Sequence, residues 1–137
     1  MENSRYKEFI EGYNKGVSPL FEEMSVGFFK RTSLDLEFIV KTIDDSKNPT
    51  LKIKMEHMAT LGSNVNEPNL KNYEKLKMAG EILSDSAAEL FSGSTDVSIR
   101  KSAANIANSF FDVAKRLEDE SLIKSAIRIS ELASKKS

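Results

Sequence analysis

The chain of 137 residues contains no cysteine, tryptophan or glutamine, and it contains one histidine. The absence of cysteine excludes disulfide bonds, thiolate metal ligands and a cysteine nucleophile. A single histidine excludes any site that needs two imidazoles, such as the paired Glu-x-x-His ligands of a di-iron helical bundle. Glycine (6) and proline (3) are scarce. This scarcity argues against a turn-rich β-sandwich or barrel and favours a mostly helical domain.

The chain also lacks a surplus of basic charge and a long apolar run. Its 20 basic and 21 acidic residues leave a net charge of −1, whereas a protein that binds duplex DNA normally carries a basic surplus. No run approaches the roughly 18 apolar residues of a membrane span, and the first eight residues, 1–8, lack the apolar core of a signal peptide. We therefore expect a soluble, cytoplasmic protein for which nucleic acid is a poorer partner than protein.

Charged residues make up 30% of the chain, which exceeds the average of about 25%. A high charge content without glutamine or cysteine is a trend of proteins from very hot environments. The nine asparagines run against this trend, so the composition gives only an indication of thermophily.

The spacing of apolar residues predicts a series of helices. Residues Asn3–Asn14 carry one apolar stripe on a short segment, so we expect residues 1–17 to dock on their own domain or to be swapped with a neighbouring copy. Pro19 begins the next helix, because proline suits the first helical position. Asn48-Pro49 repeats this pattern, and Gly62 is placed as the stop of that helix. The longest loop is expected at residues 62–68.

Two further helices follow this loop. A near-heptad seam from about Pro68 to Phe91 includes Gly80, where a second helix can approach closely. The most regular stripe runs from about residue 95 to Leu117. Another apolar stripe covers residues 123–133, and the sequence between contains neither glycine nor proline. Either a tight turn begins a new short helix here, or the helix continues with its apolar face rotated. The absence of glycine and proline favours the continuous or barely kinked helix. The predicted fold is one all-α domain, 1–137, an antiparallel four-helix bundle with one or two short accessory helices.

A search for chemistry yields no catalytic constellation. His57 has no second histidine to complete a metal site. Carboxylate clusters such as Glu22/Glu23 and Glu118/Asp119/Glu120 lie near helix ends, where they are typical of solvated charge and of helix-end electrostatics. A phosphate-binding loop is absent, because Gly93-Ser94 lacks the glycine and lysine that would follow. We therefore predict a protein that is not an enzyme and that uses no cofactor or metal.

Apolar residues outnumber those needed for one stripe per helix. Met78 and Ile82 form a second stripe beside the Gly80 seam. Small residues and one phenylalanine form another stripe on the following helix: Ala104, Ala107, Phe111 and Ala114. A helix that is apolar over much of its girth must be covered on two sides. These six residues belong either to a wide core or to an interface with a second copy or with a helical peptide.

Two segments carry a resemblance to known proteins. The runs Ser86–Phe91 and Ser102–Ala107 are rich in alanine, and they resemble the helices of adhesion-type four-helix bundles, namely the focal-adhesion-targeting domain and vinculin-like bundles. That resemblance implies grooves between helices that bind helical peptides. As a whole, the chain also resembles small orphan proteins encoded by viruses of hyperthermophilic archaea.

These observations predict a non-enzymatic interaction protein, an adaptor or structural helical bundle that forms a homodimer and recruits a protein partner through apolar grooves. Two alternatives stay open. The first is a nucleic-acid-associated protein with a locally basic face. The second is a bundle that binds a small ligand in a pocket lined by Met55, Met58, His57 and Tyr73.

Overall fold

The structure, a computed structural model, describes residues 19–63 and 71–134. These residues form five helices, numbered here in chain order: α1 (Pro19–Thr42), α2 (Pro49–Ser63), α3 (Asn72–Leu90), α4 (Val97–Leu117) and α5 (Glu120–Ser134). Helix accounts for 86% of the described residues and strand for none of them, and the helix packing fits a bundle. The all-α prediction is therefore confirmed. The helix predicted at Asn3–Asn14 and most of the loop predicted at 62–68 lie outside the described residues.

The helices begin where proline or a carboxylate favours a start. Pro19 and Pro49 are the first residues of α1 and α2, as predicted. α3 begins differently, since Lys71 before it makes no side-chain cap. Instead, the carboxylate of Glu22 on α1 accepts hydrogen bonds from the backbone N–H groups of Asn72, at 3.1 Å, and Tyr73, at 2.8 Å. A neighbouring helix thus satisfies two of the unpaired N–H groups at the start of α3.

The predicted stop at Gly62 was wrong, because α2 continues through Gly62 to Ser63. The glycine has a packing role instead. A Cβ atom added at Gly62 would lie 3.3 Å from Cδ1 of Phe29 on α1. The missing side chain therefore allows the end of α2 to approach the Phe29 ring.

The prediction of a continuous last helix was also wrong. α4 ends at Leu117, and Glu118 adopts a left-handed conformation with φ of 51°. The side chain of Asp119 then accepts a hydrogen bond from the N–H of Leu122 at 3.1 Å, which caps the first turn of α5. A left-handed residue normally favours glycine, but here an N-cap and a tertiary hydrogen bond to Asp119 stabilise the turn without one.

Side-chain contacts give the directions in which neighbouring helices run. On α1 and α4, Phe28 packs edge-on against Phe110 with ring centroids 5.9 Å apart, and Asp35 accepts a hydrogen bond from Asn105. Residue numbers rise on one helix as they fall on the other, so α1 and α4 are antiparallel. On α3 and α5 the contacts rise together, because Tyr73 contacts Asp119 and Asp85 contacts Arg128. α3 and α5 therefore run parallel.

α3 lies at the centre of the bundle. It contacts all four of the other described helices, whereas α5 contacts α3 and α4, and α2 contacts α1 and α3. The prediction of a close approach at Gly80 is confirmed, because a Cβ atom there would lie 2.5 Å from Cζ of the buried Phe110 and 3.3 Å from Cβ of Ser125. The single glycine thus lets α3 pack tightly against both α4 and α5 at one point.

Candidate functional site

The two predicted interaction residues on α3 are covered by the chain itself. Met78 and Ile82 are half-buried and pack against the hydrophobic core. α3 contacts every other described helix, so its second apolar stripe faces helices of the same chain. A helix in this position is apolar over much of its girth because it is central.

The four predicted residues on α4 divide into two pairs. Ala107 and Ala114 are buried, with 4% and 2% of their surface exposed. Ala104 and Phe111 are half-buried. Phe111 and Ala114 lie on the side of α4 that faces α5. The structure therefore brings two of the six predicted residues into one surface feature.

That feature is the α4–α5 groove, which has a volume of about 510 Å³. It is lined by eight residues of the two helices and their turn: Phe111, Ala114, Lys115, Glu118, Ile123, Ala126, Ile127 and Ser130. Ile123 and Ile127, one helical turn apart on α5, are 37% and 54% exposed. The apolar floor and walls carry one basic and one acidic side chain, Lys115 and Glu118.

Sequence reasoning did not single out Ile123 and Ile127. The apolar stripe at residues 123–133 is visible in the sequence, but the absence of glycine and proline before it favours a continuation of α4. In one continuous helix these residues would lie beyond the end of the Phe111 stripe. The turn at Glu118 instead folds α5 back against α4, so that Phe111 and Ser130 line the same groove.

A cluster of polar groups fixes that turn to the rest of the bundle. The hydroxyl of Tyr73 on α3 donates to Oδ1 of Asp119 at 2.6 Å. Oδ2 of Asp119 accepts from the N–H of Leu122 and, at 2.9 Å, from the hydroxyl of Ser121. One carboxylate thus caps α5 and ties its first turn to the first turn of α3.

The cluster shifts the acidity of both partners. Burial, together with the hydrogen bond to the Asp119 carboxylate, raises the pKa of Tyr73 to about 12. Burial also acts to raise the pKa of Asp119, but hydrogen bonds from Tyr73, from the Leu122 amide and from Ser121 outweigh it. The pKa of Asp119 is therefore held below its usual value. At neutral pH the phenol is protonated and the carboxylate is charged, as their hydrogen bond requires.

A second groove runs beside Ile127, on the opposite side of α5. This α3–α5 groove has a volume of about 580 Å³, and its lining is mostly charged: Glu81, Ser84, Asp85, Lys124, Ser125, Ile127, Arg128 and Glu131. Arg128 and Asp85 face each other across it, with nitrogen and oxygen 3.9 Å apart. Ile127 therefore forms a ridge between an apolar groove and a charged groove.

The α1–α2 groove is the other apolar hollow of note, with a volume of about 550 Å³. Phe29, Leu36 and Val40 on α1 and Ala59 on α2 contribute to its lining. None of these four side chains is exposed to the degree of Ile127. These four residues therefore do not form an exposed apolar ridge beside the groove.

The four residues suggested for a small-ligand pocket lie in different surroundings. Met55 and Met58 are fully buried in the core, whereas His57 is exposed. Tyr73 directs its hydroxyl to Asp119. None of the three grooves described above is lined by any of these four residues.

Two basic side chains, one on α3 and one on α4, have acidic partners on their own helices. Arg116 pairs with Asp112 at 3.2 Å and Lys77 with Glu74 at 3.5 Å, both within one helix. Such pairs reduce the positive potential that phosphate binding needs.

Three further observations bear on function. No group of three or more metal-ligating side chains occurs within residues 19–63 and 71–134. No helix in the same part of the chain is long and apolar enough to cross a membrane. Comparison with protein-family models, with curated proteins and with solved structures finds no match to this chain. The resemblance to adhesion-type bundles and to archaeal viral proteins therefore stays a prediction.

Proposed function

We propose that this chain is a non-enzymatic protein-binding module and that its α4–α5 groove accepts an amphipathic helix. In this proposal α1, α3, α4 and α5 are the four main helices of the bundle, and α2 is the accessory helix. The observation that carries the proposal is the pair of exposed isoleucines, Ile123 and Ile127, beside a continuous apolar groove.

The dimensions of the groove suit a helix. Along α4 its lining extends from Phe111 to Glu118, which is about two helical turns or 10 Å. Two turns of an amphipathic helix present apolar side chains at positions i, i+3, i+4 and i+7, the spacing that helix-in-groove recognition uses. Exposed single isoleucines are ordinary on a protein surface, but two that border one apolar groove favour a binding site.

The polar residues at the edge fit binding better than catalysis. Lys115 and Glu118 stand beside a mostly apolar lining, in which the other polar residue is Ser130. Charged residues at the edge of an apolar patch are typical of a protein interface, where they orient the partner. The α3–α5 groove has one exposed apolar side chain, Ile127, in a mostly charged lining. The α1–α2 groove has charged residues in its lining, but its apolar side chains are buried or half-buried.

Site-specific photocrosslinking in the native host tests the proposal. A photoreactive phenylalanine analogue replaces Ile127 in one variant and Ile53 in the control. Ile53 is 65% exposed on α2 and lines none of the three grooves. We expect protein adducts at position 127 and few at position 53. Equal yields at both positions, or no adduct at position 127, would contradict the proposal.

A further inference from the structure

We infer that the occupant of the α4–α5 groove is α5 of a second copy of this chain, with the two copies related by a two-fold axis parallel to α5. The inference rests on the proposed function of the groove, and it adds the identity of the partner. Four properties of the described surface carry it: the shape of the ridge and groove, the distribution of charge, the area and the net charge.

The first property is the match between ridge and groove. Ile127 stands between the α4–α5 groove and the α3–α5 groove, since it lines both. A two-fold axis parallel to α5, placed between this ridge and the apolar groove, seats Ile127 of each copy in the α4–α5 groove of the other. A ridge beside a groove on the same face allows the self-complementary contact that a symmetric dimer requires.

The second property is the position of the charged groove. In this arrangement the apolar α4–α5 groove lies at the centre of the contact. The side of α5 that carries Lys124, Arg128 and Glu131 lies at the edge, where water reaches it. An apolar centre with a charged periphery is the usual anatomy of a protein interface.

Charge also distinguishes a second copy from other partners. The net charge of −1 means that two copies repel each other little. A nucleic acid would need a basic lining, whereas the α4–α5 groove offers one lysine and one glutamate. A strongly charged peptide would find no excess of the opposite sign there.

The area sets the expected strength. α5 has 15 residues and is therefore about 22 Å long, and two adjacent helices are about 20 Å wide. The paired face of α4 and α5 thus offers about 450 Å² per copy, compared with about 800 Å² per partner in a standard stable complex. We therefore expect a weak dimer, with a Kd in the micromolar range.

Engineered cysteines test the arrangement directly, because the chain has none of its own. Ser130 lines the α4–α5 groove and Ser33 lines the α1–α2 groove, and both are exposed. A two-fold axis parallel to α5 keeps residue 130 of one copy at the level of residue 130 of the other. Under mild oxidation at about 200 µM, well above a micromolar Kd, we expect Ser130→Cys to form a disulfide-linked dimer at least several times faster than Ser33→Cys. Equal rates would overturn the inference.

Sedimentation of the cysteine-free chain provides the second arm. We expect the average mass to rise from 15.3 kDa toward twice that value as concentration increases. Ile127→Asp should abolish the rise, and Ile53→Asp should leave it unchanged, with circular dichroism showing that both variants fold. A monomeric parent chain at about 500 µM, far above the expected Kd, would overturn the inference. If the chain were monomeric but adducts to another protein formed at position 127 in the host, the proposed protein-binding function would stand and the inference of a dimer would fail.

Discussion

Helices α3 and α5 pack against each other in parallel, yet the chain covers them to very different extents. α3 contacts all four of the other described helices and buries ten of its 19 residues. Within the part of the chain that the structure describes, α5 contacts two helices and buries two of its 15 residues, Leu122 and Ile129. Apolar residues beyond a single stripe are therefore buried differently on the two helices. On α3 they form the centre of the core, and on α5 they form exposed surface.

The comparison predicts a large difference between two matched truncations. Leu83 on α3 is 1% exposed, and Ile127 on α5 is 54% exposed. Both side chains have four carbons, and truncation to alanine removes three. We expect Leu83→Ala to lower the free energy of unfolding by about 2–5 kcal/mol, because it leaves a cavity in the core. Ile127→Ala should change it by no more than about 0.5 kcal/mol.

Urea unfolding at low protein concentration measures both effects, since dilution removes any contribution from self-association. A cost for Ile127→Ala comparable with that of Leu83→Ala would mean that α5 is covered by part of this chain. The distinction between the central and the peripheral helix would then fail.

A pair of glycines sharpens the comparison at the point where α3 contacts α5. Replacing glycine by alanine inside a helix gains about 1 kcal/mol in helix propensity. At Gly80 the new methyl group would collide with the buried Phe110 ring, and such overpacking costs about 1–3 kcal/mol. At Gly27 on α1 the nearest atom is the flexible end of Arg31, at 3.2 Å. We expect Gly80→Ala to destabilise by about 1 kcal/mol and Gly27→Ala to stabilise by somewhat less.

Thermal or urea unfolding of the two variants shows whether each substitution raises or lowers the stability. Stabilisation by Gly80→Ala would show that α3 has room for a side chain where it meets α4 and α5. The close packing described for the centre of the bundle would then be incorrect.

The sequence predicted the parts of the fold that depend on local periodicity. Gly80 was placed correctly on a contact seam, because its position in the near-heptad repeat alone identifies the side of α3 that faces other helices. Pro19 and Pro49 were placed correctly because proline at the first helical position needs no partner elsewhere.

Features stabilised by distant residues were not predicted. The turn at Glu118 depends on Asp119, whose carboxylate is held by Tyr73 from 46 positions earlier in the chain. The start of α3 depends on Glu22, 50 positions before Asn72. Neither pairing leaves a local pattern in the sequence. Because the turn was missed, Ile123 and Ile127 were not connected with Phe111, and the α4–α5 groove could not be recognised.

The hydrogen bond between Tyr73 and Asp119 links the start of α3 to the start of α5, and its pH dependence tests how firmly the peripheral helix is held. Tyr73→Phe removes the bond and should cost about 1 kcal/mol near pH 7, since the acceptor is charged but partly exposed to water.

The pKa of Tyr73 is raised to about 12 from 10.0, so this stabilisation is complete below pH 10 and is lost as the pH rises toward 12. The pKa of Asp119 is lowered from 3.8, so the stabilisation is complete above that value and is lost as the pH falls through the folded-state pKa. Urea unfolding of the parent chain and of Tyr73→Phe should be measured from about pH 3 to about pH 11.5, which reaches the titration of both groups. The difference in the free energy of unfolding should be largest at neutral pH and smaller at both extremes. A difference independent of pH would mean that the phenol of Tyr73 and the carboxylate of Asp119 are not coupled.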